Sequence, residues 1–315
     1  MSMLSSISSG VKTGLSLALL ALVPAQVTQA QVTQAQVTQA QAQIPPAHIP
    51  AAEAPSRIVS IGGAVTEIVY ALGQENRLVA RDTTSNFPAK AAELPNVGYA
   101  RALSPEGVLS VNPDLILASE GSGPPEALAV LKQAGLAYVE VPEIYSATGV
   151  IAKIETVAEA LDQHEAGAAL VAQVSADLAA AQELALQAAG DRPKRVLFVL
   201  STQAGRITAS GTGTGADGII TMAGAVNAIS DFAGYKQLTD EAIAAAAPDV
   251  ILAMDRGGDH GLTKASLPSL PALMLTPAAQ NGQLIRMDGA LLLQFGPRAA
   301  RTVKDLSQAI YGAAE

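Results

Sequence analysis

Val97-Gly98-Tyr99-Ala100-Arg101-Ala102-Leu103-Ser104-Pro105-Glu106-Gly107 leads into an apolar run from Val108 through Asn112-Pro113-Asp114 to Leu115-Ile116-Leu117-Ala118. Ser104-Pro105-Glu106 has the order of a helix start: a hydroxyl cap, a proline in the first helical position and an acidic first turn. The Pro-Asp pair and the apolar run after it suit a turn into a buried strand. Tyr99 and Arg101 fall outside any apolar periodicity, on the loop that enters the helix. Loops held by rigid elements carry binding groups, so this tyrosine and arginine are placed to face a ligand together.

The pattern returns about 135 residues later, where Gly234-Tyr235-Lys236-Gln237-Leu238-Thr239-Asp240-Glu241 leads through an alanine run to Pro248-Asp249-Val250-Ile251-Leu252-Ala253. Leu103-Ser104 aligns with Leu238-Thr239, Glu106 with Glu241, and Pro113-Asp114 with Pro248-Asp249, with a one-residue gap after the tyrosine. This internal duplication predicts two similar lobes with a cleft between them. Tyr235 reads as a structural counterpart of Tyr99, because Lys236 stands where the first copy has Ala100-Arg101.

A chain of 315 residues exceeds the size at which one hydrophobic core stops growing, which agrees with two lobes. A net charge of -9 argues against nucleic acid or an anionic membrane surface as partner, since both call for basic patches. The absence of cysteine excludes disulfides, zinc-thiolate sites, thiol catalysis and a lipid-anchored cysteine together. Residues 1–25 read as a secretory signal, with Lys12 ahead of the apolar run Leu15 to Leu22 and small residues at Val23-Pro24-Ala25. Residues 26–54 hold three Gln-Val-Thr-Gln-Ala repeats and a proline-rich end, the composition of a disordered tether. The mature chain is therefore expected to be exported and soluble.

The remainder divides into an N-terminal lobe at 55–146, connecting helices at 147–190 and a C-terminal lobe at 191–315. Arg57-Ile58-Val59-Ser60-Ile61, Gly62-Gly63 and a helix over 66–73 make a strand, turn and helix. Further strands are expected at 77–81, 115–118 and 138–141, with a helix at 124–134. Such alternation predicts an α/β fold of mainly parallel sheets flanked by helices. Between the lobes, 148–161 and 164–189 read as helices; about 25 residues span roughly 37 Å, enough for a rigid connector along both lobes.

Gly213, Gly215 and Gly218 satisfy a dinucleotide fingerprint, and Asp231 lies where a ribose-binding acid belongs. This is the enzyme alternative, an oxidoreductase. Only five residues separate Gly218 from Gly224, a short helix for such a unit, and an exported protein has no nicotinamide supply.

Taken together, Arg57-Ile58-Val59-Ser60 with Thr66-Glu67-Ile68, the Gly98-Tyr99-Ala100-Arg101 loop, Ser210 to Asp217 and Gly234-Tyr235-Lys236 carry a resemblance. Over about residues 55–313 the chain resembles the haem-binding periplasmic proteins of bacterial ABC haem importers, within the helical-backbone (class III) solute-binding proteins. The resemblance implies a transport component and not an enzyme. It implies ferric haem as cargo, no catalytic cofactor, an inner-membrane permease-ATPase as partner and an outer-membrane haem receptor system upstream. It also implies Tyr99 as the axial ligand to iron and Arg101 and Arg256 near the propionates; His260, in the loop after Arg256, reads either as a sixth ligand or as an exposed loop histidine. Glu67 and Asp217, read as acids at corresponding helix starts of the two lobes, are expected to dock on permease arginines. Ser201-Thr202-Gln203 stands where some relatives supply a histidine, so a Tyr/His pair is not expected. His48, His164 and His260 are too scattered for the zinc or manganese site of metal-binding relatives. A siderophore or cobalamin is the rival ligand; the lack of tryptophan and the 3% aromatic content count against it.

Overall fold

The computed structural model describes residues 54–255 and 262–312. The expected signal and tether, together with His48, Arg256 and His260, lie outside them.

The first lobe runs β1 (Ile58–Ile61), α1 (Gly63–Ala71), β2 (Leu78–Arg81), α2 (Pro105–Leu109), β3 (Leu115–Ser119), α3 (Pro125–Gln133) and β4 (Ala137–Val141). Its sheet is wholly parallel in the order β2-β1-β3-β4. All four residues of β1 are buried, as a central strand covered by helices on both faces requires. The helix expected from Thr66 begins three residues earlier, at Gly63, because Gly62 at φ 108° turns the chain sharply enough to start it there.

Two long helices follow, α4 (Ala147–Ala160) and α5 (His164–Ala189). Ser146 caps α4 by accepting from the Gly149 amide, and α5 ends at Gly190 with φ 55°. The second lobe runs β5 (Arg195–Ser201), β6 (Thr208–Ser210), α6 (Gly215–Met222), β7 (Val226–Asn227), β8 (Tyr235–Gln237), α7 (Asp240–Ala246), β9 (Val250–Asp255), α8 (Pro271–Met274), α9 (Pro277–Gln280), β10 (Leu284–Asp288), α10 (Gly289–Leu293) and α11 (Ala299–Tyr311).

The second sheet is mainly parallel, as expected, with an antiparallel edge. β10, β9, β5 and β7 pair parallel, but β6 is antiparallel to β5 and β8 antiparallel to β6. The reason is connection length: the few residues between β5 and β6 suffice for a hairpin and not for a crossover.

The duplicated Pro-Asp pairs perform the same task in both lobes. Asp114 accepts from the Ser56 amide at 2.8 Å and the Arg57 amide at 3.0 Å, while Asp249 accepts from the Arg195 amide at 2.8 Å. Each acid thereby fixes the start of its lobe's first strand. The apolar core shared by both lobes runs from Ile58, Ile68 and Leu117 through Ile154, Val174 and Leu178 to Phe198, Ile219 and Val303, and each lobe has a further cluster of its own. The connecting helices thus share their packing with both lobes, and α11 lies against α5.

Candidate functional site

The loop carrying Tyr99 is pinned at both ends. Asn96 forms a bridge with Arg81 and its Oδ1 accepts from the Gly98 amide at 2.9 Å. Gly98 sits at φ 106°, where only glycine is comfortable, and its carbonyl accepts from the Thr83 amide. Further along, Ala100 and Leu103 exchange backbone hydrogen bonds with Gly123, and Ser104 caps α2. Val97, Leu103 and the half-buried Ala100 pack into the lobe, while Tyr99, Arg101 and Ala102 are exposed. Tyr99 is 48% exposed.

Tyr99 and Arg101 line a cleft of about 1080 Å³ between the lobes. The first lobe adds Gly62, Thr84 and Glu120, and the far wall holds Asp255, Asp288 and Gln294. The tyrosine and arginine singled out in the sequence thus share one concave surface. Tyr145, which the sequence did not mark, also lines the cleft; its ring meets Phe295 edge-on at 5.4 Å. Burial pushes its phenol above 10, with Arg101 acting in the opposite sense. Tyr235 stands against Phe198 at 6.4 Å, and burial raises its phenol too, with Thr214, Arg101 and the Ala216 amide acting in the opposite sense.

Beneath the cleft lies a polar floor that the sequence did not disclose. Lys153, fully buried on α4, forms an ion pair with Glu143 at 2.7 Å and donates to the Gln294 carbonyl at 2.9 Å. The Gln294 side chain donates to the Thr84 carbonyl at 3.1 Å, joining the lobes. Glu143 and Gln294 both face the cleft.

The acids expected at exposed helix starts are placed otherwise. Glu67 is the fifth residue of α1 and only 6% exposed; Arg298 approaches it with Nε and Nη2 at 2.9 Å each and with its own amide at 3.1 Å. Inward-facing position, not helix order, decides its role. Asp217 does lie in the first turn of α6, but its Oδ2 accepts from the Gly213 amide and its Oδ1 from Asn227, each at 3.0 Å. Both acids are committed within the molecule. Glu106 and Glu241, equivalent in the duplication, stand exposed in the first turns of α2 and α7.

Of the glycines of the dinucleotide fingerprint, Gly213 takes a left-handed turn at φ 70° with open space around it, and Gly215 and Gly218 serve packing. A side chain at Gly218 would collide with the Tyr145 carbonyl, and one at Gly215 would press on Leu293. β6, which precedes them, is antiparallel to β5, so no βαβ unit is formed. His164 lies on the surface between Glu159 at 3.2 Å and Asp162 at 3.0 Å. Among the described residues no group of three His, Asp or Glu is placed to hold a metal ion, and no helix is long and apolar enough to cross a membrane.

Comparison with known proteins agrees with this architecture. Residues 58–291 match the model of the periplasmic binding protein family. An uncharacterized ABC transporter substrate-binding lipoprotein of Bacillus subtilis, YvrC, is 30% identical over 82% of this chain and 80% of its own. A vitamin B12-binding protein of Vibrio cholerae is 28% identical over 79% of this chain and 87% of its own. The solved structure of the periplasmic heme-binding protein BhuT in complex with two hemes superposes with a TM-score of 0.78 and 42% identity, covering 82% of this chain and 98% of that one. Two lobes bridged by helices, a cleft between them and a family model spanning both lobes lead to one assignment: the chain belongs to the periplasmic binding proteins, the substrate-binding components of ABC transporters, and is not an enzyme.

Proposed function

We propose that this protein binds ferric haem in the interlobe cleft, with Tyr99 as axial ligand to the iron, and delivers it from the periplasm to an inner-membrane ABC permease. The observation that carries this reading is the exposed Tyr99 phenol on the cleft lining, two residues from the Arg101 guanidinium. A phenolate is a hard anionic donor for ferric iron, and bonding to the metal favours it over the phenol. A guanidinium also pairs bidentately with a carboxylate, which a haem propionate supplies. The cleft volume lies at the upper end of the range for small-molecule sites, as a macrocycle demands. BhuT, the 42% identical relative, supports haem, whereas the B12-binding relative at 28% keeps cobalamin as the second reading. The amide-fringed corrin ring has no carboxylates for Arg101 to hold.

Arg256 and His260, outside the described residues, retain their proposed roles beside a propionate and at the sixth iron position. For docking we assign Glu106 and Glu241 in place of Glu67 and Asp217. Exposed, equivalent acids, one on each lobe, suit a two-fold permease, whereas Glu67 and Asp217 are occupied internally.

Titration of the protein with hemin and with cyanocobalamin, followed by absorbance, tests the reading. Hemin is expected to bind with the charge-transfer bands of a Tyr-ligated high-spin ferric haem, and Tyr99→Ala to abolish those bands while circular dichroism stays unchanged. Binding of cyanocobalamin but not hemin would replace the reading with the cobalamin one.

A further inference from the structure

The walls of the cleft pose an electrostatic problem for a dicarboxylate. Glu120, Glu143, Asp255 and Asp288 all line it, against Arg101. At separations of several ångström and an effective dielectric near 20, one unbalanced charge changes the affinity of a charged ligand by about tenfold or more. The acids must be offset for an anionic macrocycle to enter.

Two of them are offset from behind the lining. Arg286 pairs with Asp255 at 3.0 Å, and Lys153 pairs with Glu143 at 2.7 Å. The second pair is the unusual one. The Lys153 side chain has no exposed surface while Glu143 keeps 18% of its own facing the cleft, so the cation is hidden and its carboxylate is displayed. A buried ammonium is costly without a partner, and packing alone would be met by an apolar side chain of similar length. Desolvation draws the Lys153 ammonium below 10.5, with Glu143 opposing that shift. Glu120 stays exposed on the lining, its Oε2 accepting from the Glu143 amide at 3.0 Å.

We propose that Lys153 is a specificity-determining positioning residue: by neutralising Glu143 from beneath the cleft floor, it makes the site accept a dicarboxylate macrocycle. This deepens the haem reading and rests on it. The alternative is that Lys153 only braces α4 against the Gln294 carbonyl, and the two roles separate by ligand charge.

Hemin and hemin dimethyl ester share the ring and the iron, but the ester lacks the carboxylates. Lys153→Met leaves Glu143 uncompensated, so hemin affinity should fall about tenfold while the ester is little affected. Glu143→Gln removes the displayed charge with minimal change of shape; it should tighten hemin several-fold relative to the ester. The double variant should return the hemin-to-ester ratio to that of the unaltered protein. Equal effects on both ligands, or none in Glu143→Gln, would overturn the proposal, and Glu143→Gln separates the two roles even where Lys153→Met fails to fold. Failure of the unaltered protein to bind hemin would overturn the haem reading as well, an outcome distinct from hemin binding with an unmoved ratio.

Discussion

Arg298, at the start of α11, reaches across to Glu67 in α1, 231 residues earlier in the chain, and holds its carboxylate with two guanidinium nitrogens and a backbone amide. The guanidinium also lies over the Phe87 ring at 3.4 Å from the centroid. Planar, bidentate and stacked, this contact fastens the first lobe to the last helix in a way a lysine cannot reproduce.

Loss of one partner would leave a largely buried charge unpaired. Arg298→Ala is therefore expected to lower stability by roughly 3 kcal/mol, read as a shift of the urea midpoint, and Arg298→Lys by somewhat less. Glu67 and Arg298 stand apart from the ligand lining, so the hemin spectrum should be retained. A midpoint within error of the unaltered protein would show that the pair contributes nothing.

Acid sensitivity should trace in part to Asp114. Its burial alone would raise the carboxyl, but hydrogen bonds from the Ser56 and Arg57 amides outweigh that and hold it below 3.8. A depressed folded-state value means that the unfolded chain takes up the proton first as pH falls. The stabilisation is thus full above 3.8 and disappears as pH drops through the folded-state value. Asp114→Asn should be less stable than the unaltered protein at about pH 6, and the gap should narrow as the pH falls below 3.8. A constant gap across that range would remove Asp114 from the acid transition.

Docking on the permease should depend on Glu106 and Glu241. Exchanging both for Ala is expected to leave hemin binding in solution intact and to reduce, several-fold, the ATP hydrolysis that the receptor stimulates in a reconstituted importer. Asp217→Asn is expected to leave that stimulation unchanged, because its carboxylate is spent on Gly213 and Asn227. The reverse pattern would restore the helix-start acids as the anchors.

Much of the architecture was legible in the chain because its signals are local. Ser104-Pro105-Glu106 starts α2, the second connecting helix spans 164–189 as expected, and the duplicated Pro-Asp pairs mark equivalent strands. Tyr99 and Arg101 were legible for the same reason: a glycine at φ 106° and a capped helix soon after it fix how that loop is displayed. The partnership of distant charges, by contrast, emerged only from packing. Glu67 looked like a helix-start acid, and its neighbours in sequence say nothing of Arg298. Lys153 looked like any polar residue on a helix, 141 residues away from the Gln294 carbonyl it serves. Hydrogen-bond caps and hydrophobic period act over a few residues and are written in order along the chain, whereas the burial of a charge depends on which surfaces packing brings together, and that is settled only when the lobes meet.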